Sequence, residues 1–329
     1  MTLLQVEDLQ VHFRTPTGVV RSVNGLSFAV DRGETVAIVG ESGCGKSVTS
    51  MSVLRLIPTP PGRMAGKILF EGRNLLALPE DDMKAIRGNE ISMIFQEPMT
   101  SLNPVLTVGQ QICETLRLHQ GMDANQANAR ALVMLQLVGI TAPERRLQSY
   151  PHQLSGGMCQ RVMIAIALAC DPKLLIADEP TTALDVTVQA QILDLMRDLQ
   201  KRLGTAIVLV THDLGVVAQT AQRVIVMYAG RKVEEASVDA LFAHPMHPYT
   251  QGLMDAIPKL GSSLGSESRT QLAEIDGAVP DLRKPLVGCA FASRCSRSTV
   301  LCTQTMPMTQ EKASGHWVAC HHVESEKTP

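Results

Sequence analysis

The stretch Gly40-Glu41-Ser42-Gly43-Cys44-Gly45-Lys46-Ser47 decides the fold expected for this chain of 329 residues. It follows Glu34–Val39, a short run rich in β-branched residues that is typical of a buried strand. It precedes Val48–Leu56, which has the character of a helix. A GxxxxGK motif followed by Ser or Thr, set between a strand and a helix, is typical of a phosphate-binding loop. The sequence therefore predicts an α/β fold built around this loop.

Each position of the loop has a chemical role. Glycines allow successive backbone N–H groups to point inward at a phosphate. Lys46 supplies a point charge to the outer phosphates, and the Ser47 hydroxyl can ligate Mg²⁺. Cys44 contributes mainly its backbone, so its thiol is expected to be incidental. The predicted nucleotide contacts are Gly40, Glu41, Ser42, Gly43, Cys44, Gly45, Lys46, Ser47 and Val48.

A second glycine-containing stretch, Leu154-Ser155-Gly156-Gly157-Met158, opens the apolar helical run Val162–Cys170. A helix start of this kind binds anions, because it presents unpaired N–H groups at the positive end of the helix dipole. The chain already has one phosphate loop. The second site is therefore expected to serve a nucleotide bound by another copy or by a partner chain.

Polar residues follow two further apolar strands. Lys173–Ala177 leads into Asp178 and Glu179, which are expected to hold the Mg²⁺ hydration shell and to polarise an attacking water, respectively. An isolated acidic pair more often caps a helix. Thr205–Val210 leads into His212, and a histidine on its own is more often structural.

Composition limits the classes of function. A net charge of −2 gives no basic surface over the whole chain, which disfavours nucleic acid as a partner. The longest apolar stretch, Val162–Cys170, is far shorter than the roughly 18 residues that span a bilayer. Met1–Glu7 lacks the pattern of a signal peptide. Any membrane role is therefore expected to come through a partner.

Periodicity predicts the remaining organisation. Leu3–Phe13 and Val20–Val30 are expected to pair as antiparallel strands around a turn at residues 15–18, and Lys67–Phe70 and Glu90–Phe95 as further strands. Helical spacing alone marks the segment after residue 105, as in Gln110–Leu118 and Asn125–Val138. The expected division is a cassette at 1–258 with a helical subdomain at about 97–155, a Gly/Ser-rich linker at 259–271, a Cys-rich extension at 272–322 and a polar tail at 323–329.

Together these motifs resemble the ATP-binding-cassette (ABC) ATPases, with residues 154–158 similar to their signature and Thr181–Asp185 to their D-loop. The resemblance implies a P-loop NTPase with a RecA-like core, an antiparallel β subdomain and an inserted α-helical subdomain, which binds ATP and Mg²⁺. It implies catalytic roles for Lys46, Gln96, Glu179 and His212, and Mg²⁺ contacts from Ser47, Gln96 and Asp178. It implies that Ser155, Gly156, Gly157 and Gln160 contact ATP held by the other subunit. Phe13 would stack on adenine, although the residue pattern alone favours a core position on an edge strand.

A narrower resemblance links the chain to the ATPases of dipeptide and oligopeptide importers. It rests on Gln96-Glu97 with the segment that follows, His247-Pro-Tyr-Thr250, Ile275–Pro280, Gly288-Cys289 and Arg294-Cys295. It implies two transmembrane permease subunits, a second and non-identical ABC ATPase, an external solute-binding protein and no nucleic acid. The expected location is the cytoplasmic face of the cell membrane. Other cargo (nickel chelates, glutathione or peptide antibiotics), a soluble ABC ATPase acting on nucleic acid or ribosomes, and a redox-responsive subunit stay as alternatives.

Four of the eight cysteines, Cys289, Cys295, Cys302 and Cys320, lie in the C-terminal extension. Their crowding in a segment of low apolar content predicts a ligand-stapled fold. The irregular spacing fits the paired cysteines of zinc ribbons poorly, whereas four cysteines also hold 4Fe–4S clusters. Some members of the resembling family carry an iron–sulfur cluster here, so that cluster is the expected cofactor. A mixed zinc site that includes His316, His321 or His322, and unligated or disulfide-linked thiols, stay open.

Overall fold

Two β-sheets organise the chain in the computed structural model, which describes residues 1–97, 101–181, 185–257 and 274–323. The strands are β1 (Thr2–Thr15), β2 (Gly18–Asp31), β3 (Thr35–Val39), β4 (Gly62–Phe70), β5 (Arg73–Asn74), β6 (Ile91–Ile94), β7 (Leu174–Asp178), β8 (Ala206–Val210), β9 (Arg223–Tyr228), β10 (Arg231–Ser237), β11 (Gln310–Ala313) and β12 (His316–Val318). The helices are α1 (Lys46–Val53), α2 (Glu80–Ile86), α3 (Val108–Gln120), α4 (Ala124–Leu137), α5 (Pro143–Leu147), α6 (Gly156–Leu168), α7 (Val186–Leu203), α8 (Leu214–Thr220), α9 (Val238–Ala243), α10 (Pro248–Asp255) and α11 (Val300–Gln304). Short 3₁₀ turns lie at Leu75–Ala77 and Pro151–Gln153.

The larger sheet has the order β11-β12-β10-β9-β3-β8-β7-β6. Its strands β9, β3, β8, β7 and β6 pair in parallel. Every residue of β3, β6, β7 and β8 is buried, as expected where helices cover both faces of a parallel sheet. The predicted α/β class is confirmed.

The smaller sheet is antiparallel, with the order β2-β1-β4-β5. The predicted pairing of β1 with β2 is confirmed and runs from Thr2 opposite Asp31 to Thr15 opposite Gly18. The edge-strand position considered for Phe13 is wrong, because β4 pairs with the other side of β1. β4 begins at Gly62, earlier than the apolar pattern indicated, and Gly62 lies opposite Phe13.

Between β6 and β7 the described chain is helical, as predicted, and comprises α3, α4, α5 and α6. Asp123 caps α4 by accepting hydrogen bonds from the N–H groups of Asn125 and Gln126. The four helices enclose one apolar cluster that includes Ile112, Met134 and Val162. Among the helices of the described ranges, none is long and apolar enough to cross a membrane.

The C-terminal extension packs onto the large sheet. Strand β12 pairs antiparallel with β10, with Val318 opposite Glu234 and Trp317 opposite Glu235. Phe291 is buried in the same apolar cluster as Tyr228 of β9. The extension thus has apolar contacts that its own composition did not indicate. The predicted linker and all of the predicted polar tail except Val323 lie outside the described residues.

A buried carboxylate with several hydrogen bonds joins the extension to the sheet. Glu234 of β10 is fully buried and accepts a hydrogen bond of 2.7 Å from Nε2 of His316. Backbone N–H groups of Met246 and His247 donate to the same carboxylate, at 2.7 and 3.0 Å. Burial alone would raise the pKa of Glu234, but the hydrogen bonds from His316 and the backbone outweigh it and hold that pKa below its ordinary value.

Replacement of Glu234 by Ala is expected to lower the free energy of unfolding by about 3–5 kcal/mol, because it leaves His316 and two buried N–H groups without their acceptor. Urea unfolding monitored by the fluorescence of Trp317, the only tryptophan of the chain, measures the loss. Asp194→Ala, which removes an exposed pair with Arg197, should cost less than about 1 kcal/mol. Equal losses in the two variants would contradict the structural role given to Glu234.

Candidate nucleotide site

The candidate site lies along one edge of the large sheet, where four neighbouring parallel strands end. The phosphate loop follows β3, His212 follows β8, Asp178 ends β7, and Gln96 follows β6. The register places Asp178 opposite Val210, and Val210 opposite Ile38. Carboxyl ends of parallel strands are where α/β proteins bind their ligands.

Glycines shape the phosphate loop. Gly43 and Gly45 have φ of +78° and +104°, which L-residues with side chains rarely adopt. A Cβ at Gly45 would also overlap the carbonyl oxygen of Ser22. Cys44 lies between them with its side chain in the apolar core, and burial raises the pKa of its thiol. The loop therefore presents backbone here, as predicted for Cys44.

Lys46 begins α1 with its side chain folded into the loop. The side chain is almost buried, and its ammonium donates to the carbonyl oxygens of Gly40 and Glu41, at 2.7 and 3.1 Å. These hydrogen bonds hold the Lys46 ammonium near the N-terminus of α1, where unpaired N–H groups and the helix dipole also attract anions. The arrangement suits a polyphosphate.

Two oxygen ligands for a hard cation lie beside the loop. The Ser47 hydroxyl donates a 3.0 Å hydrogen bond to Oδ1 of Asp178. The pKa of Asp178 is raised above its ordinary value, mainly by burial. The hydrogen bond from Ser47 lowers this pKa, and the nearby charge of Glu179 raises it. A hydroxyl and a carboxylate fit Mg²⁺, which prefers few protein oxygens together with substrate phosphates. Bound there, Mg²⁺ would supply charge neutralisation to those phosphates.

Three of the predicted catalytic side chains form one hydrogen-bonded chain. Nε2 of Gln96 donates to Oε2 of Glu179 at 3.1 Å, and Nδ1 of His212 lies 3.2 Å from Oε1 of the same carboxylate. The backbone of Glu179 has φ of +48°, and its N–H donates a hydrogen bond to the carbonyl oxygen of Val210. The carboxylate is held between an amide and an imidazole, next to the two candidate Mg²⁺ ligands, where it can accept a proton from a water.

The second predicted phosphate site lies at the start of α6. The Ser155 hydroxyl caps this helix by accepting from the N–H of Met158, and Ser155 and Gly156 are exposed. A side chain at Gly157 would be in close contact with Val188 of α7. The exposed first turn can receive an anion from outside the chain.

Gln160 is buried, unlike Ser155 and Gly156 at the start of the same helix. Its side chain is 1% exposed, and its amide donates to the carbonyl oxygen of Pro180, in the turn after Glu179. Gln160 therefore connects the signature helix to the acidic strand end within this chain. Phe13 is half-buried and packs against the core of the small sheet, next to Gly62.

Parts of two predicted loops lie outside the described residues, namely 98–100 of the Gln96 loop and 182–184 of the D-loop. Asp185, which ends the D-loop, caps α7 by accepting from the N–H of Val188. A side chain that the sequence did not indicate also contacts the phosphate loop. Tyr249 accepts a 2.8 Å hydrogen bond at its hydroxyl from the N–H of Glu41.

The four C-terminal cysteines line one narrow cavity, together with the side chains of His247, His321 and His322. All four are free thiols, so the disulfide alternative is wrong for this structure. Nε2 of His322 lies 3.3 Å from Sγ of Cys302. In the described part of the chain, no group of three or more His, Cys, Asp or Glu side chains is arranged to hold a metal ion.

Comparisons with known proteins agree with this geometry. The model of the ABC transporter family matches residues 23–182. The model of the oligopeptide/dipeptide transporter C-terminal region matches residues 233–302. The second match includes Cys289, Cys295 and Cys302 and ends before Cys320.

Two curated relatives cover nearly the whole chain. A protein of Sinorhizobium fredii named as the probable peptide ABC transporter ATP-binding protein y4tR is 57% identical over 319 residues, which are 97% of this chain and 94% of the relative. The oligopeptide transport ATP-binding protein OppD of Bacillus subtilis is 54% identical over 96% of this chain and 87% of its own length. Among solved structures, the ATP-binding cassette MJ0796, described as a post-hydrolysis dimer bound to ADP and phosphate, gives a TM-score of 0.64 at 29% identity, over 71% of this chain and 98% of that one.

A phosphate loop, a Ser–Asp pair and a glutamate held by Gln and His, all at the ends of parallel strands, define an ATPase of the P-loop class. The chain belongs to the ABC transporter ATP-binding proteins, in the group with the oligopeptide/dipeptide C-terminal region.

Replacement of Glu179 by Gln is expected to lower kcat for ATP hydrolysis by at least about 10²-fold, because an amide cannot take the proton of the attacking water. ATP binding should persist, since Lys46 and the loop are unchanged, and ATP-bound dimers should accumulate. Steady-state hydrolysis and gel filtration with ATP measure the two effects. Glu90→Gln, at the opposite end of the sheet, should hydrolyse ATP like the parent chain. Near-normal turnover by Glu179→Gln would refute the role given to Glu179.

Proposed function

We propose that this ATPase drives the import of dipeptides or oligopeptides through a membrane permease. The proposal rests on two observations together. The side chains of Gln96, Glu179 and His212 are hydrogen-bonded to one another, and the C-terminal region is of the oligopeptide/dipeptide type. Relatives that match almost the full length are named for peptide, oligopeptide and dipeptide transport. Nickel chelates, glutathione and peptide antibiotics are the alternative cargo within the same class.

In this proposal two cassettes enclose two ATP molecules. Each ATP lies between the phosphate loop, Asp178 and Glu179 of one subunit and Ser155–Gly157 of the other. The exposed first turn of α6 supports this arrangement, as does the MJ0796 cassette, whose structure is described as dimeric. The second cassette is a different polypeptide, and closure of the pair converts ATP binding into movement.

The permease would contact the helical part of the chain. A groove of about 730 Å³ runs between α3, the start of α4 and the end of α5. Leu118, at its rim, is 74% exposed, and Arg117 and Glu114 offer charges beside it. A short amphipathic helix from a membrane subunit fits a groove of this chemistry. Gln96 would connect the groove to Glu179, so that the presence of the permease is sensed at the catalytic carboxylate.

The complete assembly would contain two transmembrane permease subunits, the two cassettes and an external solute-binding protein. The cassettes would lie at the cytoplasmic face of the membrane as peripheral subunits. A soluble ABC ATPase that acts on nucleic acid or ribosomes is the second candidate function. It is disfavoured by a net charge of −2 and by the peptide-type C-terminal region.

Affinity capture of the tagged chain from gently solubilised membranes tests the assembly. The expected partners, identified by mass spectrometry, are two multi-span proteins and a second cassette ATPase. Hydrolysis by the captured complex should rise when its binding protein carries a dipeptide or oligopeptide, and should not rise with glutathione or nickel chelates. Recovery of nucleic acid or ribosomal proteins without membrane subunits would overturn the transport proposal.

We propose further that Cys289, Cys295, Cys302 and Cys320 hold a 4Fe–4S cluster. The chemistry of the donor set supports it, because four free thiols line one cavity. Burial raises the pKa of Cys289 and Cys320, but backbone N–H groups also point at both sulfurs. Such N–H groups stabilise thiolates and tune clusters. A cluster spaces its thiolates further apart than a single zinc ion does, so the cysteines need not converge on one point.

Protein purified under anaerobic conditions is expected to be brown, with about four iron atoms and four acid-labile sulfides per chain. Cys302→Ser should lose most of the iron, and Cys113→Ser, whose thiol lies in the helical part, should keep it. Metal analysis and the visible spectrum provide the measurement. Colourless protein, or one zinc atom per chain, would refute the cluster.

A further inference from the structure

The C-terminal extension reaches the phosphate loop through one ion pair. The guanidinium of Arg294 donates from Nη1 to Oε2 of Glu41 at 2.8 Å, and from Nη2 to Oε1 at 3.0 Å. Glu41 is the second residue of the loop, and 253 residues separate it from Arg294. The Arg294 side chain is 5% exposed and that of Glu41 is 26% exposed. A two-bond contact of this kind fixes the orientation as well as the distance of the carboxylate.

Arg294 is itself held from all sides. Its Nε and Nη2 donate to the carbonyl oxygens of Asp276 and Ile275, at 2.9 and 2.7 Å. The guanidinium carbon lies 5.8 Å from the ring centroid of Tyr228 and 5.9 Å from that of Phe291. These contacts fix the orientation of the Arg294 guanidinium, so the side chain loses little conformational freedom when it binds the Glu41 carboxylate.

Glu41 is restrained at all three of its polar groups. Arg294 holds the carboxylate, the Tyr249 hydroxyl accepts from the backbone N–H, and Lys46 donates to the backbone carbonyl. Two of the three restraints come from residues after β10. The carbonyl that Lys46 contacts and the carboxylate that Arg294 contacts belong to one residue. The position of Glu41 therefore affects the position of the Lys46 ammonium.

Glu41 also presents an electrostatic problem. A carboxylate in a loop that binds a polyanion repels its ligand unless a cation compensates it. The Lys46 ammonium is expected to contact the phosphates. Arg294 is the cation that hydrogen-bonds to the Glu41 carboxylate and can neutralise its charge. The partial burial of the pair makes this compensation stronger than at an open surface.

We propose that Arg294 is a positioning residue for ATP binding, which acts through Glu41. It fixes the start of the phosphate loop and cancels the charge of the Glu41 carboxylate. The extension thereby contributes to the nucleotide site from outside the cassette. The pair adds no group to the hydrolysis step, so its loss should affect binding more than chemistry.

The test is a double-mutant cycle on the full chain, with Arg294→Gln, Glu41→Gln and the double variant. Arg294→Gln leaves the carboxylate uncompensated and should raise the Kd for a fluorescent ATP analogue and the KM for ATP by about tenfold, with a smaller change in kcat. Glu41→Gln added to Arg294→Gln should recover most of the lost affinity, because the repelling charge is gone. Recovery distinguishes this role from simple damage to the extension, which a second substitution would not repair.

Two further variants separate the effect of the Arg294 charge from that of its two-bond geometry and from general damage to the extension. Arg294→Lys retains the charge without the fork, so its affinity should lie between those of the parent and of Arg294→Gln. Arg283→Gln removes an exposed arginine of the same extension, paired with Asp281, and should bind ATP like the parent. Parent-like affinity in both Arg294 variants, or a double variant no better than Arg294→Gln, would overturn the proposal. Failure of the parent chain to bind ATP would instead contradict the nucleotide site itself.

Discussion

The parallel pairing of β3, β8, β7 and β6 is the constraint on which the site depends. Backbone hydrogen bonds set the register, which places the end of each strand beside the end of its neighbour. A slip of one residue would turn every side chain to the other face of the sheet. Asp178 would then leave Ser47, and Glu179 would leave His212. The short contacts among the side chains of the candidate site thus follow from the backbone register of these strands.

Much of this could be predicted because its causes are local. Helix α7 runs from Val186 to Leu203, and both of its ends have a signal in the neighbouring residues: Asp185 caps its first turn, and Gly204 adopts a left-handed conformation after its last. The phosphate loop is equally local, because glycine and lysine at fixed spacing form it. The order of the catalytic motifs along the chain also gave their common location, since parallel strands end at one edge.

The missed features are those that join distant parts of the chain. The docking of β12 on β10 and the pair of Arg294 with Glu41 leave no periodic signal in either segment. The edge-strand position that the sequence pattern favours for Phe13 is wrong for a related reason. The first half of β4, from Gly62, lacks the alternation that marks a strand, and only its partner β1 makes it one. In such segments, pairing with a distant strand determines the secondary structure, and the local pattern of apolar residues does not.

The pairing of β12 with β10 also affects the tendency of the protein to aggregate in solution. Strand β12 covers the outer side of β10, and β11 in turn covers β12. Without them, β10 would present unpaired N–H and C=O groups at the margin of a large sheet, which is a template for association with other chains. Loss of the whole extension would also remove Phe291 from the apolar cluster that it shares with Val233 and Ala236 of β10. The segment beyond the cassette is therefore a guard against aggregation, and a chain cut at residue 257 would be expected to self-associate.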